Sequence, residues 1–501
     1  MRKNISRRSF VKSATVATAG AGIISSNLLS SCSKHEEKER PNVLFIFPDQ
    51  YRKQSLGFLN NDPVRTPNID KLAKNGVHFT DAVSNHPLCS PFRGMLFSGK
   101  YPLSNGVQSN CHSGRTKYGN FLKPDERCFS DVMKDSGYAT GYLGKWHLDG
   151  PTPTKPGEPN IWDSYCPPGP HRHGFEFWYS YGTHNRHNHP YYWINDAKEN
   201  EKTDVNQWSP EHEADVLIDY LENKDGNFRD DNKPFFMCWG INPPHTPFTE
   251  VPNRYKERFK DLTIDSVLNR PNVRKTQAPF YKETGFGDPG VEKKLSQAKD
   301  YFACVEGVDD QIGRVLEVLE KQGLKDNTIV IFCSDHGEML GSQGLMHKNV
   351  WFKEAFEIPF IVSWPGKITP GTDNLLLSVP DIMPTFLSFL GLKDQIPAGI
   401  EGKDYSAVLR GEEFDRPKSA MYFFDKPEEE KEKRRGVKTH EYTYVVAYDK
   451  HSKKHIFLYD DINDPYQLTN IAGQKPEVEA SLHEMLAQHL HNTKDYFISY
   501  I

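Results

Sequence analysis

Short, unbroken apolar runs alternate with amphipathic segments along most of the chain. Such runs are typical of strands that are buried on both faces of a parallel sheet. They predict strands over residues 42–47, 140–144, 234–239, 328–333 and 360–362. Apolar side chains at intervals of three and four predict a long helix over residues 295–322. Strands that alternate with helices indicate an α/β fold with a large, mostly parallel sheet flanked by helices.

The hydrophobic pattern changes after about residue 411. Residues 443–448 and 455–459 have the composition of two hairpin strands, and residues 478–490 form an amphipathic pattern typical of a terminal helix. Residues 428–435 are almost all charged, and we expect them to form a solvated loop. We therefore predict a large domain over residues 41–411 and a smaller α+β domain over residues 412–501.

The N-terminal segment has the composition of a targeting sequence. Residues 6–12 resemble a twin-arginine export signal, and residues 14–29 are too short and too polar to span a bilayer. The residues that end at Cys32 resemble a bacterial lipobox. We expect residues 1–32 to be a lipoprotein signal peptide and residues 33–40 a charged tether. The mature protein is then exported and lipid-anchored at Cys32, in the periplasm or at the cell surface; a chance cysteine in an ordinary signal peptide is the alternative.

Charge and cysteine content exclude several classes of protein. The 501 residues carry a net charge of −5 and 26% charged side chains, which gives no indication of nucleic-acid binding. None of the eight cysteines forms a CxxC pair, so neither a zinc knuckle nor a thioredoxin-type motif is predicted. Cys238 and Cys333 lie inside apolar runs and are expected in the core.

The most informative segment is His-Pro-Leu-Cys-Ser-Pro-Phe-Arg-Gly-Met-Leu over residues 86–96, followed by Ser-Gly-Lys-Tyr-Pro over residues 98–102. Its Cys-x-Pro-x-Arg core resembles the signature of the type I sulfatases of the alkaline phosphatase superfamily. In that family a maturing partner, either a formylglycine-generating enzyme or an anaerobic sulfatase-maturating enzyme, oxidises this cysteine to formylglycine. The resemblance implies that Cys89 is the modified residue; a buried structural thiol is the alternative.

The resemblance also implies a reaction mechanism. The hydrated aldehyde of the family is a gem-diol, and one of its hydroxyls attacks sulfur to give a sulfo-enzyme intermediate. Loss of the proton from the other hydroxyl then expels sulfate and restores the aldehyde. This is covalent catalysis in which the intermediate breaks down from within.

Two pairs of polar residues, Asp49-Gln50 and Asp335-His336, follow predicted strands that are far apart in the sequence. In open α/β sheets ligands bind beyond the carboxyl ends of the strands, so these pairs are expected to meet. The resemblance implies that they hold a calcium or magnesium ion, with residue 89 as a further ligand; oxygen donors suit either ion. The predicted metal ligands are Asp49, Gln50, Cys89, Asp335 and His336. A loop-capping role for Asp335 and His336 is the alternative.

Five further residues match catalytic positions of the family. Arg93 is implied to hold the formylglycine, and Lys145 and Lys348 to bind sulfate oxygens. His147 is implied to accept the gem-diol proton, and His245 to protonate the leaving alcohol. A lone histidine is more often structural, but the strand before His245 and the matching context favour a functional role. Together the cationic groups suit a tetrahedral oxyanion.

A histidine-rich stretch is the candidate for recognising the leaving group. His184, Arg186 and His187 precede the aromatic residues 191–193, and Arg172 and His173 lie just upstream. Aromatic faces beside hydrogen-bonding side chains suit a sugar. We predict that these five polar residues bind substrate; a polar surface loop with an aromatic anchor is the alternative.

The sequence therefore predicts a sulfatase acting on a sulfated glycan, such as a glycosaminoglycan, mucin or algal polysaccharide fragment. Gln50 stands where many sulfatases carry a second aspartate, and this also resembles phosphonate monoester hydrolases and choline sulfatases. A phosphonate or phosphate diester hydrolase, or a choline or aryl sulfatase, is therefore the alternative. A glycan-binding protein with a decayed site is disfavoured, because every expected catalytic position is filled.

Overall fold

A computed structural model of the protein describes residues 40–155, 157–273 and 291–501. The predicted signal peptide, with Cys32, and nearly all of the tether lie outside the described residues. The strands are β1 Asn42–Ile46, β2 Val77–Phe79, β3 Ala139–Lys145, β4 Phe177–Tyr181, β5 Tyr191–Ile194, β6 Thr203–Asp204, β7 Phe235–Gly240, β8 Thr328–Cys333, β9 Phe360–Ser363, β10 Gly371–Asp373, β11 Ala420–Lys426, β12 Glu429–Lys438, β13 Tyr442–Tyr448 and β14 Lys454–Asp460.

The α-helices are α1 Pro67–Lys74, α2 Cys89–Ser98, α3 Pro102–Asn105, α4 Ser113–Thr116, α5 Phe129–Asp135, α6 Ser209–Glu222, α7 Asn253–Lys256, α8 Ile264–Val267, α9 Val291–Lys321, α10 Lys353–Phe356, α11 Val379–Phe389, α12 Ser406–Arg410 and α13 Pro476–Asn492. The long predicted helix is thus confirmed as α9. Within the described ranges, no helix combines the length and the apolar character that crossing a membrane requires.

A ten-stranded sheet in the order β10-β2-β9-β8-β1-β7-β3-β4-β5-β6 forms the centre of the fold. The five neighbouring strands from β8 to β4 run parallel, whereas β9, β5 and β6 pair with their neighbours in the antiparallel direction. The sheet is therefore mixed, with a parallel centre. This confirms the α/β prediction.

Alternate residues of the central strands supply two hydrophobic cores. Phe45, like Phe236 and Ile331, packs on the face that α2, α5 and α11 cover. Ile46 and Met237 belong to the core on the opposite face, which α1, α6 and α9 cover. Because both faces are buried, these strands read as unbroken apolar runs in the sequence.

The carboxyl ends of four adjacent parallel strands lie at one edge of the sheet. β8, β1, β7 and β3 are neighbours in that order, and register pairs such as Phe45 with Ile331 and with Cys238 keep their ends level. The segments after these strands begin at positions 334, 47, 241 and 146. All four segments therefore meet at the edge where α/β sheets bind ligands.

A separate antiparallel sheet in the order β11-β12-β13-β14 follows the large one. The predicted hairpin is confirmed as β13 and β14, and the terminal helix as α13. Trp351, which follows shortly after Lys348 in the chain, stacks on Phe457 of β14 with ring centroids 4.7 Å apart. The small sheet thus packs against the segment that carries Lys348, while the boundary at residue 411 stays a prediction.

The charged run at residues 428–435 is not a solvated loop, contrary to our expectation. It forms most of β12, and Arg434 and Arg435 are fully buried. The Arg435 guanidinium lies 3.6 Å from the centroid of the Phe423 ring, and its Nε donates to Asp495 over 2.5 Å. Charged side chains are tolerated in a core when they are paired in this way, and hydropathy alone does not reveal the pairing.

Candidate active site

Cys89 is the first residue of α2 and is almost fully buried. Leu88 before it has extended backbone, and Pro91 lies in the first turn, where a missing N–H leaves no hydrogen bond broken. The helix ends at Gly99, whose φ of 66° is a left-handed conformation that favours glycine. The segment from Cys89 to Gly99 is therefore a local helix signal, and it places residue 89 at the positive end of a helix dipole.

Arg93 lies one helical turn after Cys89 and is also fully buried. Its guanidinium donates to Asp49 Oδ2 over 3.2 Å and to the Tyr142 hydroxyl over 3.0 Å, and it also binds the Lys145 carbonyl oxygen. The arginine thereby links α2 to the ends of β1 and β3. It fixes the position of residue 89 relative to the sheet.

Three side chains from two segments converge around Cys89 Sγ. Asp49 Oδ1 lies 3.5 Å from the sulfur and His336 Nε2 lies 3.3 Å from it. His336 Nε2 is 3.6 Å from Asp49 Oδ1 and 3.5 Å from Asp335 Oδ1. The ligand atoms of these four buried residues all lie within 4.8 Å of one another, which is close enough to surround one metal ion.

The electrostatics of this cluster favour a bound cation. Burial opposes ionisation of Asp49, yet Lys145 and the neighbouring cationic side chains hold the pKa of that carboxyl well below its usual range. Burial, together with repulsion from Asp49, raises the pKa of Asp335 well above its usual range. Two buried carboxylates this close cannot both be charged without a counter-charge between them. Arg93, which lies 3.2 Å from Asp49 and 3.8 Å from Asp335, supplies part of that charge, and a divalent cation would supply the rest.

His336 is oriented for metal binding. Its Nδ1 lies 3.0 Å from the Gly337 carbonyl oxygen, which can only accept, so Nδ1 carries the proton. Nε2 is then a lone pair that faces Cys89, Asp49 and Asp335. Burial and the charge of Lys348 hold the pKa of His336 well below its usual range, so the ring stays neutral. A neutral imidazole with its second nitrogen bound to a carbonyl is a typical metal ligand.

Gln50 is held by residues on both sides of its amide. Its Nε2 donates to Glu338 Oε2 over 2.5 Å, and its Oε1 accepts from Lys348 Nζ. The backbone N–H of Gln50 donates to Asp335 Oδ1 over 2.9 Å, and its φ of 68° is unusual for a residue with a side chain. This strained position holds the amide between Glu338 and Lys348, while its backbone N–H contacts Asp335.

Glu338 is a residue that the sequence reasoning did not assign. It is fully buried, and its Oε1 accepts from the backbone N–H groups of Leu340 and His347 over 2.8 and 2.6 Å. The carboxylate therefore connects Gln50 to the loop that carries Lys348. Its only signal in the sequence is its place directly after Asp335-His336-Gly337.

Lys145 projects from the end of β3 into the cluster. Its Nζ lies 2.8 Å from Asp49 Oδ2 and 3.4 Å from Asn242 Oδ1. Burial opposes its positive charge, but the attraction of Asp49 raises the pKa of Lys145 above its ordinary value, so the lysine stays charged. Gly144 before it has a φ of 93°, and a Cβ there would lie 2.3 Å from the Gly240 carbonyl oxygen, so only glycine lets β3 and β7 approach so closely.

His147 has one nitrogen without a partner. Its Nε2 lies 3.1 Å from the Cys111 carbonyl oxygen and must donate to it. Its Nδ1 is buried and has no hydrogen-bond partner within the described parts of the chain. Burial and the charges of Lys145 and Arg93 hold the pKa of His147 well below its usual range. Nδ1 is thus a free lone pair beside the cationic cluster and can accept a proton.

His245 lies on the segment after β7 and is half-buried. Its Nδ1 donates to the Thr246 carbonyl oxygen over 2.8 Å, which leaves Nε2 for other partners. Burial, Lys348 and Lys145 hold the pKa of His245 well below its usual range. The ring is therefore neutral in the free protein, and it requires the negative charge of a bound substrate before it can serve as an acid.

The histidine-rich loop is attached to the catalytic segments. Asn242, which contacts Lys145, donates to the His184 carbonyl oxygen over 2.7 Å. His187 Nε2 donates to the His245 carbonyl oxygen over 2.9 Å. The side chain of Arg186 is about half exposed, and its guanidinium lies 5.3 Å from the centroid of the Tyr191 ring. The structure thus places the loop beside Lys145 and His245, while its contact with substrate stays a prediction.

Arg172 and His173 do not fit the substrate-binding role that the sequence suggested. Arg172 donates to the carbonyl oxygens of Asn195 and Cys166 over 2.6 and 3.2 Å, and it stacks on Trp178. His173 is buried and its Nδ1 lies 3.1 Å from the Glu126 carbonyl oxygen. Both side chains are used to hold loops together. Their polarity resembled that of a binding site because buried main-chain carbonyls also need donors.

The thiol of Cys89 is not set up as a nucleophile. Burial and the charge of Asp49 raise its pKa to about 11, so the thiolate is scarce at neutral pH. Reactive cysteines have lowered pKa values instead. All seven cysteines that the structure describes are free and buried, Cys238 and Cys333 in the core as expected. An unmodified thiol at position 89 is therefore a poor nucleophile in this site.

Comparisons of the sequence and of the fold with known proteins identify sulfatases. The sulfatase family model matches residues 41–392, and a model for the C-terminal region of N-sulphoglucosamine sulphohydrolase matches residues 341–495. An endo-4-O-sulfatase of Bacteroides thetaiotaomicron is 42% identical, over 90% of this chain and 92% of its own. An ulvan-active sulfatase of Formosa agariphila is 31% identical, over 93% of this chain and 84% of its own.

A solved structure shares the architecture. It comes from work on the metabolism of multiple glycosaminoglycans by Bacteroides thetaiotaomicron, and it superposes with a TM-score of 0.84 at 40% identity, over 92% of this chain and 98% of its own. The fold is thus the alkaline-phosphatase-like fold of sulfatases. The chain belongs to the sulfatase family and is a sulfuric ester hydrolase.

Proposed function

We propose that this enzyme removes sulfate from an O-sulfated sugar of a glycan, with a formylglycine at position 89 and a calcium ion held by Asp49, Gln50, Asp335 and His336. The observation that carries the proposal is the convergence of these residues with two lysines at one sheet edge. Oxygen donors in a site of this kind suit calcium or magnesium. The net reaction uses one water and yields an alcohol, a sulfate ion and a proton.

The charged side chains and the neutral histidines have different roles in the proposed reaction. Lys145 contacts Asp49 and Lys348 contacts Gln50, and both lysines would bind sulfate oxygens. Arg93 keeps residue 89 in register with Asp49. Charges that are fixed before the substrate arrives stabilise developing negative charge without reorganisation. These groups therefore bind the transition state more tightly than the neutral product alcohol.

Two neutral histidines are available for proton transfer. His147 Nδ1 is unpartnered and accepts a proton released near residue 89. His245 Nδ1 already donates to the Thr246 carbonyl oxygen, so Nε2 must first gain a proton when the anionic substrate is bound. The protonated ring then donates that proton to the departing sugar oxygen. When bound, the calcium ion neutralises the two carboxylates and polarises the sulfate. The formylglycine supplies a nucleophile that can release sulfate after attack, which a serine ester cannot do.

A sugar is the favoured leaving group for two independent reasons. Two relatives align with this chain over at least four fifths of their own length, and their names refer to 4-O-sulfate and to ulvan. In addition, the loop with His184 and His187 presents polar edges beside the ring of Tyr191 and contacts both catalytic segments. Alanine replacements at these two histidines that left sugar-sulfate turnover unchanged would exclude this loop from the leaving-group pocket.

The decisive experiment measures sulfate release by ion chromatography from a panel of defined sulfated mono- and disaccharides. We expect at least one sugar sulfate to be turned over with a higher kcat/KM than p-nitrophenyl sulfate. The Cys89→Ala variant serves as the inactive control. An enzyme that hydrolyses aryl sulfate but no member of the sugar panel contradicts the proposed substrate class.

Gln50 supports a second candidate, a phosphonate or phosphate diester hydrolase. The glutamine contributes no negative charge to the metal site, so the site is less anionic than one with a second aspartate. Comparing kcat/KM for bis-p-nitrophenyl phosphate and p-nitrophenyl sulfate separates the candidates. A higher value for the phosphodiester favours the alternative.

We further propose that the enzyme is exported and lipid-anchored at Cys32 after a maturing partner has converted Cys89. The support is the order of the twin-arginine-like and lipobox-like motifs in residues 1–32. Lipidation at Cys32 would hold the protein at a membrane by its acyl chains, whereas the twin-arginine-like motif would only direct its export. Detergent partitioning and mass spectrometry of the N-terminal peptide test the anchor, and Cys32→Ala is the control.

A further inference from the structure

An exposed aromatic side chain lies on a segment beside the active site. Trp162 is 47% exposed and its neighbour Ile161 is 48% exposed. Of the eight tryptophans, six are buried and Trp364 is half-buried, which makes Trp162 the most exposed. Exposing a large indole to water is unfavourable, and an indole offers a rigid apolar face together with one polar N–H, which suits it to binding a ligand.

The segment of Ile161, Trp162 and Asp163 is held in place on both sides. On one side, Ile161 and Ser113 exchange hydrogen bonds of 2.9 Å, from Ser113 N to the Ile161 carbonyl and from Ile161 N to the Ser113 hydroxyl. On the other side, Asp163 accepts from the Thr183 backbone N–H over 2.8 Å and from the Tyr191 hydroxyl. The exposed side chains of Ile161 and Trp162 therefore belong to a segment that is fixed at both ends. We call residues 161–163 the bridge.

Each end of this bridge is close to a catalytic residue. Ser113 lies two residues after Cys111, whose carbonyl accepts from His147 and whose backbone N–H donates to the Ser90 hydroxyl. Thr183 begins the histidine-rich loop, which Asn242 joins to Lys145. The bridge thus connects the two flanks that contact His147 and Lys145. Trp162 lies between these flanks and is open to solvent.

The surroundings of Trp162 suit an anionic sugar. The indole packs against the buried His112 ring with centroids 4.7 Å apart, which fixes the plane of the tryptophan and leaves its other surface free. At the end of α4, Lys117 lies 4.9 Å from the centroid of the exposed Tyr118 ring. The rigid indole matches the apolar face of a sugar ring. Lys117, at the end of the helix that Ser113 begins, adds a positive charge on this flank that matches a sulfate or carboxylate group.

We propose that Trp162 forms a second sugar-binding subsite, which holds a saccharide unit next to the one whose sulfate is removed. The inference rests on the proposed function, because it requires a glycan in the active site. It adds that the preferred substrate is longer than the sulfated sugar itself. Because Trp162 touches no catalytic residue, its contribution is to binding and not to chemistry.

The test compares Trp162→Ala with the wild-type enzyme on substrates of increasing length. The probes are p-nitrophenyl sulfate and size-fractionated 4-O-sulfated glycosaminoglycan di-, tetra- and hexasaccharides. We expect Trp162→Ala to lower kcat/KM by about tenfold on the tetra- and hexasaccharides, through KM, and to leave p-nitrophenyl sulfate unchanged. The matched control is Ile462→Ala, which truncates another exposed apolar side chain, on the loop after β14.

The results of this test distinguish a failure of the Trp162 subsite from a failure of the proposed function. If the wild-type enzyme turns over the saccharides and Trp162→Ala matches it at every length, the subsite is excluded while the proposed function stands. An equal loss on p-nitrophenyl sulfate and hexasaccharide also excludes the subsite, since it indicates a general structural effect. If the wild type releases sulfate from none of the saccharides, the proposed function fails and the subsite fails with it.

Discussion

The amide nitrogen of Gln50 donates to the carboxylate of Glu338 over 2.5 Å, across 288 positions of the sequence. This bond decides which end of the amide is the nitrogen, because a carboxylate can only accept. The oxygen of Gln50 therefore faces Lys348, whose Nζ donates to it. Glu338 thus positions a predicted metal ligand without being one.

The first prediction concerns this bond. In Glu338→Gln, the new NH2 group must face either the amide nitrogen of Gln50 or the backbone N–H groups of Leu340 and His347. All of these groups are donors in the wild type, so at least one hydrogen bond is lost. Outer-shell changes of this kind weaken metal affinity by about 10- to 100-fold. Calcium titration of the metal-free variant by isothermal calorimetry measures the loss. Glu354→Gln changes a buried acid that contacts Asn272 instead, and it should bind calcium like the wild type.

A second prediction follows from the two buried carboxylates. Removing the metal with EGTA should abolish sulfatase activity and lower the melting temperature, and added calcium should restore both. A ligand at 100 times its Kd stabilises a protein by about 2.7 kcal/mol, so the shift should be readily measured by differential scanning calorimetry. In Asp335→Asn the calcium-dependent shift should largely disappear. If the wild-type protein has the same melting temperature with and without calcium, a stable metal site is excluded.

Cys89 gives the third prediction. Cys89→Ala should lower kcat/KM by about ten thousandfold or more, because it removes the group that carries the covalent step. Mass spectrometry of the peptide around residue 89 should show formylglycine in active wild-type enzyme. Cys304→Ala removes another buried thiol, in α9, and should keep its activity. An unmodified thiol in fully active protein would rule out the mechanism.

His245 should matter most for poor leaving groups. A sugar alkoxide needs a proton as it departs, whereas p-nitrophenolate leaves without one. His245→Ala should therefore lower kcat by about 10²- to 10⁴-fold on the sugar sulfate, with a much smaller loss on p-nitrophenyl sulfate. His189→Ala, at an exposed position of the neighbouring loop, is the control. Equal losses on both substrates would argue against a role as general acid.

The last prediction concerns Glu213, whose buried carboxyl lies next to Gly144. Glu213 accepts from Tyr192 and Trp239, and burial raises its pKa from 4.5 to about 8. Because the folded-state pKa is raised, the neutral carboxyl contributes stability that is complete below the unfolded pKa and is lost as the pH rises through about 8.

Glu213→Gln can keep both hydrogen bonds but cannot ionise. Its free energy of unfolding should exceed that of the wild type by an amount that grows to about 1–3 kcal/mol between about pH 5 and about pH 9. Urea denaturation at several pH values measures this difference. A constant difference over that range would mean that Glu213 does not change its protonation on unfolding.

The sequence by itself determined much of the fold and of the site. Apolar runs buried on both faces identify central strands such as residues 328–333, which are β8 residue for residue. The Cys-x-Pro-x-Arg motif is local, since Cys89 and Arg93 are one turn apart on the same helix. Hydrophobic period and short motifs depend on neighbours in the chain, so they can be read directly.

Only the tertiary structure decided which polar residues act and which merely hold the fold. Arg172 and Arg435 look like surface or binding residues in the sequence, yet both are buried and paired. Glu338 looks like an ordinary acid, yet it orients Gln50. These partners lie 23, 60 and 288 positions away, and the sequence records each polar side chain but not its partner. The order of the parallel strands supplies those partners, because it brings the ends of β8, β1, β7 and β3 to one edge.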